Sequence, residues 1–159
     1  MSARTEVEAP RIEDAKPLLI AGLREPIQSV AKIPEIWQRA MAYKFPHQVG
    51  RAGYGLCFDC MSDNFEYLAG VEVSDFSGLP TELSRTSIPA QKYAVFSHQE
   101  HVSQLSRTIE KIMSEWLPNS GYQLARATRE SPDFFERYSE EFNPQTGTGG
   151  IEVWIPVKS

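Results

Sequence analysis

Two cysteines, three histidines and no apolar run near eighteen residues leave few places for a metal centre, a disulfide framework or a membrane-spanning helix. Positive charge is also scarce. With 16 Lys and Arg against 21 Asp and Glu, the net charge of −5 argues against broad, unassisted binding to phosphate backbones. The N-terminus, Met1-Ser2-Ala3-Arg4-Thr5-Glu6, carries no apolar signal core, so a cytoplasmic location is expected. No G-x-S-x-G or H-E-x-x-H pattern occurs. Gly147-Thr148-Gly149-Gly150 precedes a strand, so it lacks the helix N-terminus that a phosphate site uses. Neither cofactor nor metal is expected.

The few chemical spellings present have plain readings. Cys57-Phe58-Asp59-Cys60 has C-x-x-C spacing, but Tyr54 to Cys60 reads as a strand. Residues three apart on a strand point to opposite faces, so the thiols are expected to be incidental. His98 and His101 straddle a strand end and a helix start and read as a solvated pair, and His47 falls in a loop. Glu130, Asp133, Glu136, Glu140 and Glu141 read as a solvated negative patch.

What remains is an ordinary globular composition, 41% hydrophobic and 23% charged, in one domain over residues 1–159. Residues 1–14 are polar and expected to be flexible. Strands are expected at 17–23, 54–60, 66–73, 92–98, 133–139 and 151–157. Pro34 opens a helix over about 34–45, its apolar stripe running through Ile36, Trp37 and Ala40. Val102, Leu105, Ile109, Ile112, Met113 and Trp116 define one face of a second helix. Both tryptophans on these stripes are expected to fill core. The order strand, helix, strand, strand occurs twice, over about 17–73 and 92–157. The fold class is therefore α+β: duplicated βαββ units related by a pseudo-two-fold axis. Their antiparallel sheet has helices on one face and a ligand cleft between the halves.

One strand looks anomalous. Ile151, Val153 and Ile155 alternate onto one face, Glu152 and Trp154 onto the other. A carboxylate in such a strand needs a partner if buried. If the isoleucine face packs under the helices, Glu152 and Trp154 face a cleft. There the carboxylate would meet a delocalised organic cation, with aromatic rings stacking beside it. Strand parity adds Tyr54 and Phe58 on one strand, Tyr67 on the next and Tyr138 near the end of another as possible walls.

Several stretches then resemble successive motifs of one family. They are Tyr54-Gly55-Leu56-Cys57-Phe58-Asp59, Tyr67-Leu68-Ala69-Gly70-Val71-Glu72-Val73 and Tyr93-Ala94-Val95-Phe96. Glu115 to Tyr122, Glu136-Arg137-Tyr138 and Gly150 to Val157 continue the series. Together they resemble the GyrI-like effector-binding domain, the ligand-sensing module of AraC-type and MerR-type transcription regulators, over roughly residues 15–158. The resemblance implies small-molecule, including multidrug, binding in a hydrophobic cleft. It also implies an acid in the last strand that meets cationic or polar ligands, and Glu152 is the matching position.

Because the chain starts almost at its first strand, with no basic recognition helix, direct DNA binding is not expected. The first reading is a binder of a hydrophobic, cationic or polar-headed compound, which sequesters it or reports it to a protein partner. The alternative is a hydrolase of reactive electrophiles with Glu152 as general base. A third reading, a gyrase-inhibitor-like interaction protein, rests on the acidic patch.

Overall fold

The computed structural model describes residues 9–60, 65–125 and 130–159. Its strands are β1 (Arg11–Ala15), β2 (Leu18–Pro26), β3 (Gln48–Phe58), β4 (Glu66–Val73) and β5 (Ser84–Ile88), followed by β6 (Gln91–His98), β7 (Gln123–Leu124), β8 (Phe134–Tyr138) and β9 (Ile151–Lys158). Helix α1 spans Ile33–Ala40; α2 (Leu105–Lys111) continues through a π-turn (Ile112–Trp116) into α3 (Leu117–Ser120). The two βαββ units meet at the antiparallel pair β8–β3, in the order β6-β9-β8 and then β3-β4-β2.

Three strands were not foreseen, among them the two-residue β7. Residues 11–14, expected to be flexible, form most of β1, and β5 lies between the strands expected at 66–73 and 92–98. β1 and β5 are polar segments, RIEDA and SRTSI, without apolar alternation. They matter because they close the sheet. β1 pairs with β6 from Arg11↔Val95 to Ala15↔Gln91, and β2 pairs with β5 from Leu18↔Ile88 to Gly22↔Ser84. These are two stretches of one antiparallel register, interrupted where Pro17 falls opposite Pro89, neither of which can donate to a ladder. The ring therefore runs β1/β2, β4, β3, β8, β9, β5/β6 and back, a closed barrel in which β1 and β5 each pair on one side among the described residues.

Alternation then sorts side chains inward or outward. Tyr54, Leu56, Phe58, Leu68, Tyr93, Val95 and Phe135 form the interior cluster, with Trp154 packed against it. Tyr67, Ala69, Val71, Phe96, Val153 and Ile155 face outward, under Ile36 and Ala40 of α1 and Leu105 of α2. The isoleucine face of β9 does pack beneath the helices, as its alternation implied.

Closure brings strands into tight contact at Gly22↔Gly70. A Cβ on Gly22 would lie 2.3 Å from the Ala69 carbonyl oxygen, and one on Gly70 would lie 2.1 Å from that of Ala21. Backbone cannot yield there as a side-chain tip would. Gly70→Ala is expected to lower stability by about 1–3 kcal/mol, the usual cost of overpacking. A urea titration should show a lower midpoint at unchanged slope; an unchanged midpoint would show that the strands are not held this closely.

A buried glutamate in an aromatic box

Glu136 is the acid that the fold takes out of water. Read from sequence as part of a solvated patch, it is only 6% exposed. Phe134, Glu136 and Tyr138 alternate onto the outer side of β8, where Glu136 faces Gly55 of β3. The absent side chain of Gly55 is what makes room. A Cβ there would stand 2.0 Å from the Tyr67 hydroxyl and 2.9 Å from Glu136 Oε1. Tyr67, on β4, reaches across this gap and donates to Glu136 Oε1 at 2.9 Å. Tyr138 donates to the same oxygen at 2.8 Å.

A third ring closes the group. Trp37 of α1 lies over Gly53, and its indole N–H donates to the Tyr67 hydroxyl at 3.0 Å. Trp37 also meets Tyr138 edge-on at 5.5 Å between centroids, and Phe142 meets Tyr138 at 5.1 Å. Trp37 is thus more than the core filling its stripe suggested. The helix presents it to a groove floored by two glycines, and the tyrosines hold the carboxyl behind it.

Burial raises the Glu136 pKa to about 7, although both tyrosine hydrogen bonds pull it down. The Tyr67 and Tyr138 hydroxyls are themselves pushed well above their ordinary value, first by burial and next by Glu136. Among the described residues no Lys, Arg or His pairs with Glu136, and nothing donates to its Oε2.

Glu152 stands elsewhere. It and Trp154 lie on the inner side of β9, not with the rings above. Arg11, from the unforeseen β1, donates to Glu152 Oε2 at 3.1 Å, and the Trp154 indole donates to Oε1 at 3.0 Å. Arg137 approaches to 4.0 Å, and the Glu152 side chain keeps 19% exposure. Its charge is already met within the protein, so the barrel supplies the partner that the anomalous strand seemed to lack. Glu152 and Arg137 also line a polar recess of about 380 Å³. Tyr54 and Phe58 are interior too: Tyr54 tilts against Phe135, and the Arg24 guanidinium lies 3.7 Å over the Phe58 ring. The six residues named from sequence therefore do not share one cleft. Tyr67 and Tyr138 gather around Glu136, while Glu152, Trp154, Tyr54 and Phe58 belong to the barrel interior and its mouth.

Other expectations shift as well. His98 is buried rather than solvated, its ring nitrogens meeting the Thr108 hydroxyl and the His101 carbonyl at 2.9 Å each. The acidic patch is divided: Asp133 turns inward to accept from the Cys60 amide, while Glu130, Glu140 and Glu141 stay exposed. Trp116 packs edge-on against Phe96 at 5.0 Å, in the outer core as expected.

A raised carboxyl pKa makes a definite pH signature. The unfolded chain releases the Glu136 proton near 4.5, the native one only near 7, so the native state holds the extra proton between them. Stability should fall as pH rises through that window, by about 3 kcal/mol at most, and Glu136→Gln should remove this component. Urea midpoints taken from pH 4 to 8 check it; a Gln variant with the wild-type slope across the window would show Glu136 to be no such group.

Comparison with known proteins places the fold. Residues 8–158 match the family described as GyrI-like small molecule binding domain. The transcriptional regulator BrlR of Pseudomonas aeruginosa is 28% identical over 131 residues, 79% of this chain and 46% of BrlR, so the chain spans about half of that relative's length. Among solved structures, SAV2435 bound to tetraphenylphosphonium aligns over 96% of this chain and 95% of its own, with a TM-score of 0.70 at 20% identity. The EcmrR C-terminal domain aligns over 96% and 98%, with a TM-score of 0.70 at 17% identity. The two solved structures share this fold, and this chain belongs to the GyrI-like small molecule binding domain family.

Proposed function

We propose that this chain binds a hydrophobic organic cation at Glu136, at the seam between its two halves. The observation that carries the reading is a carboxyl group 6% exposed, walled by Trp37, Tyr67 and Tyr138, with no cationic side chain among the described residues to neutralise it. A delocalised cation answers each feature. It supplies charge without demanding much hydration, and aromatic faces attract it within about 6 Å of a ring centroid. Tyr67 and Tyr138 hold the carboxyl in place, and Trp37 has to yield for the ligand to reach it. The bound tetraphenylphosphonium of SAV2435 supports this ligand class. The regulator BrlR supports a sensing role, in which occupancy is reported to a DNA-binding partner or segment, over plain sequestration.

The same carboxyl bears on the alternative reading. A pKa near 7 suits a general base at neutral pH, so a hydrolase of electrophilic compounds would use Glu136 rather than Glu152. Turnover of a strained or electrophilic substrate by the wild type, lost in a folded Glu136→Gln variant, would favour that reading over binding alone.

For the binder, calorimetric titration with tetraphenylphosphonium should show Glu136→Gln losing about 1.5–3 kcal/mol, roughly 10- to 150-fold in Kd, while Glu152→Gln keeps wild-type affinity. Since the proton must leave before the cation enters, affinity should fall about tenfold per pH unit below 7 and level off above it. Equal loss in both variants, or affinity indifferent to pH from 5 to 8, would contradict the assignment.

A further inference from the structure

The end of β3 does not keep the alternation that would send Cys57 and Cys60 to opposite faces. β3 stops at Phe58, and Asp59 takes a left-handed backbone with φ of 54°, which returns Cys60 to the outer side. Cys57 is buried in the outer core and Cys60, half-buried, packs against that same cluster. Asp133 clasps the turn at both ends: its N–H donates to the Cys57 carbonyl at 2.8 Å, and its carboxylate accepts from the Cys60 N–H at 3.0 Å. The spacing, the reversal and the clasp bring two thiols together on one side of a short loop, with Cys60 the more open.

We propose that Cys57 and Cys60 form a reversible dithiol–disulfide pair, oxidised by low-molecular-weight disulfides such as oxidised glutathione. Cys60, as thiolate, attacks one sulfur of the reagent; a mixed disulfide forms, and the released thiolate takes up a proton to become one glutathione. Cys57 then attacks the Cys60 sulfur. That closes the internal bond and releases a second glutathione, which carries the Cys57 proton. Two electrons pass from the protein to the reagent. The order follows from the setting: burial and the neighbouring Cys60 thiol hold the Cys57 thiol well above its ordinary pKa, so it is poor at starting the reaction and serves to resolve it. The pair also sits beside the Glu136 box, because Cys57 lies in register with Tyr67 on β4 and Phe134 on β8. Closing the bond fixes the strand end next to the tyrosine that holds the carboxyl.

The test needs no ligand. The reduced full chain is treated with excess oxidised glutathione and followed by intact mass and peptide mapping. The wild type should lose two hydrogens, retain no glutathione and yield an internally linked peptide containing residues 57–60; dithiothreitol should restore the original mass. Cys57→Ser, or Cys57→Ala if the serine unfolds the buried site, should stop at one glutathione on Cys60. Cys60→Ser should remain unmodified over the same period. A wild type that keeps glutathione on Cys60, forms cross-linked dimers or stays reduced would overturn the proposal. So would modification of Cys60→Ser at the wild-type rate.

Discussion

Removing a carboxyl group from water is costly unless something replaces its hydration, and the outer face of this barrel is arranged around that cost at Glu136. Two hydroxyls donate to one of its oxygens, and a third ring donates to one of those hydroxyls. Even so, burial outweighs the hydrogen bonds and leaves the group titrating near neutrality. A site built this way stores an unmet demand for positive charge. An arginine placed beside it would instead hold the carboxyl in its charged form.

The contrast with Glu152 shows the difference within one protein. Both acids stand in strands with apolar neighbours, and β8 and β9 are hydrogen-bonded to each other. Glu136 points out toward the helices and meets rings; Glu152 points in and meets Arg11, Arg137 and an indole. Which acid is compensated depends on barrel closure, because the arginine nearest Glu152 arrives on β1, held in place by its pairing with β6.

Much of this was legible in sequence. The duplicated βαββ order, both helices and the sidedness of β9 follow from apolar periodicity. β1 and β5 were hidden because RIEDA and SRTSI lack apolar alternation, and without them the closure could not be seen. Missing β1 also left Glu152 without its arginine, so it looked like the open acid. Glu136 was obscured by Phe134-Phe135, which put an apolar residue on each side of β8. The signal was present all the same: Phe134, Glu136 and Tyr138 form an acid between two aromatics on one face, and Gly53 and Gly55 form a glycine pair across from it. In the fold those glycines are the floor on which Trp37 and Tyr67 rest.

The central claim is that Glu136 is held uncompensated near neutral pH until a cation arrives. NMR titration of its side-chain carboxyl carbon, in protein labelled at glutamate, tests this most directly. In the free protein the midpoint should lie near 7, and tetraphenylphosphonium should move it to lower pH while the Glu152 resonance stays in place. A free-protein midpoint at the ordinary carboxylate value of 4.5, or one that the cation does not move, would contradict the account.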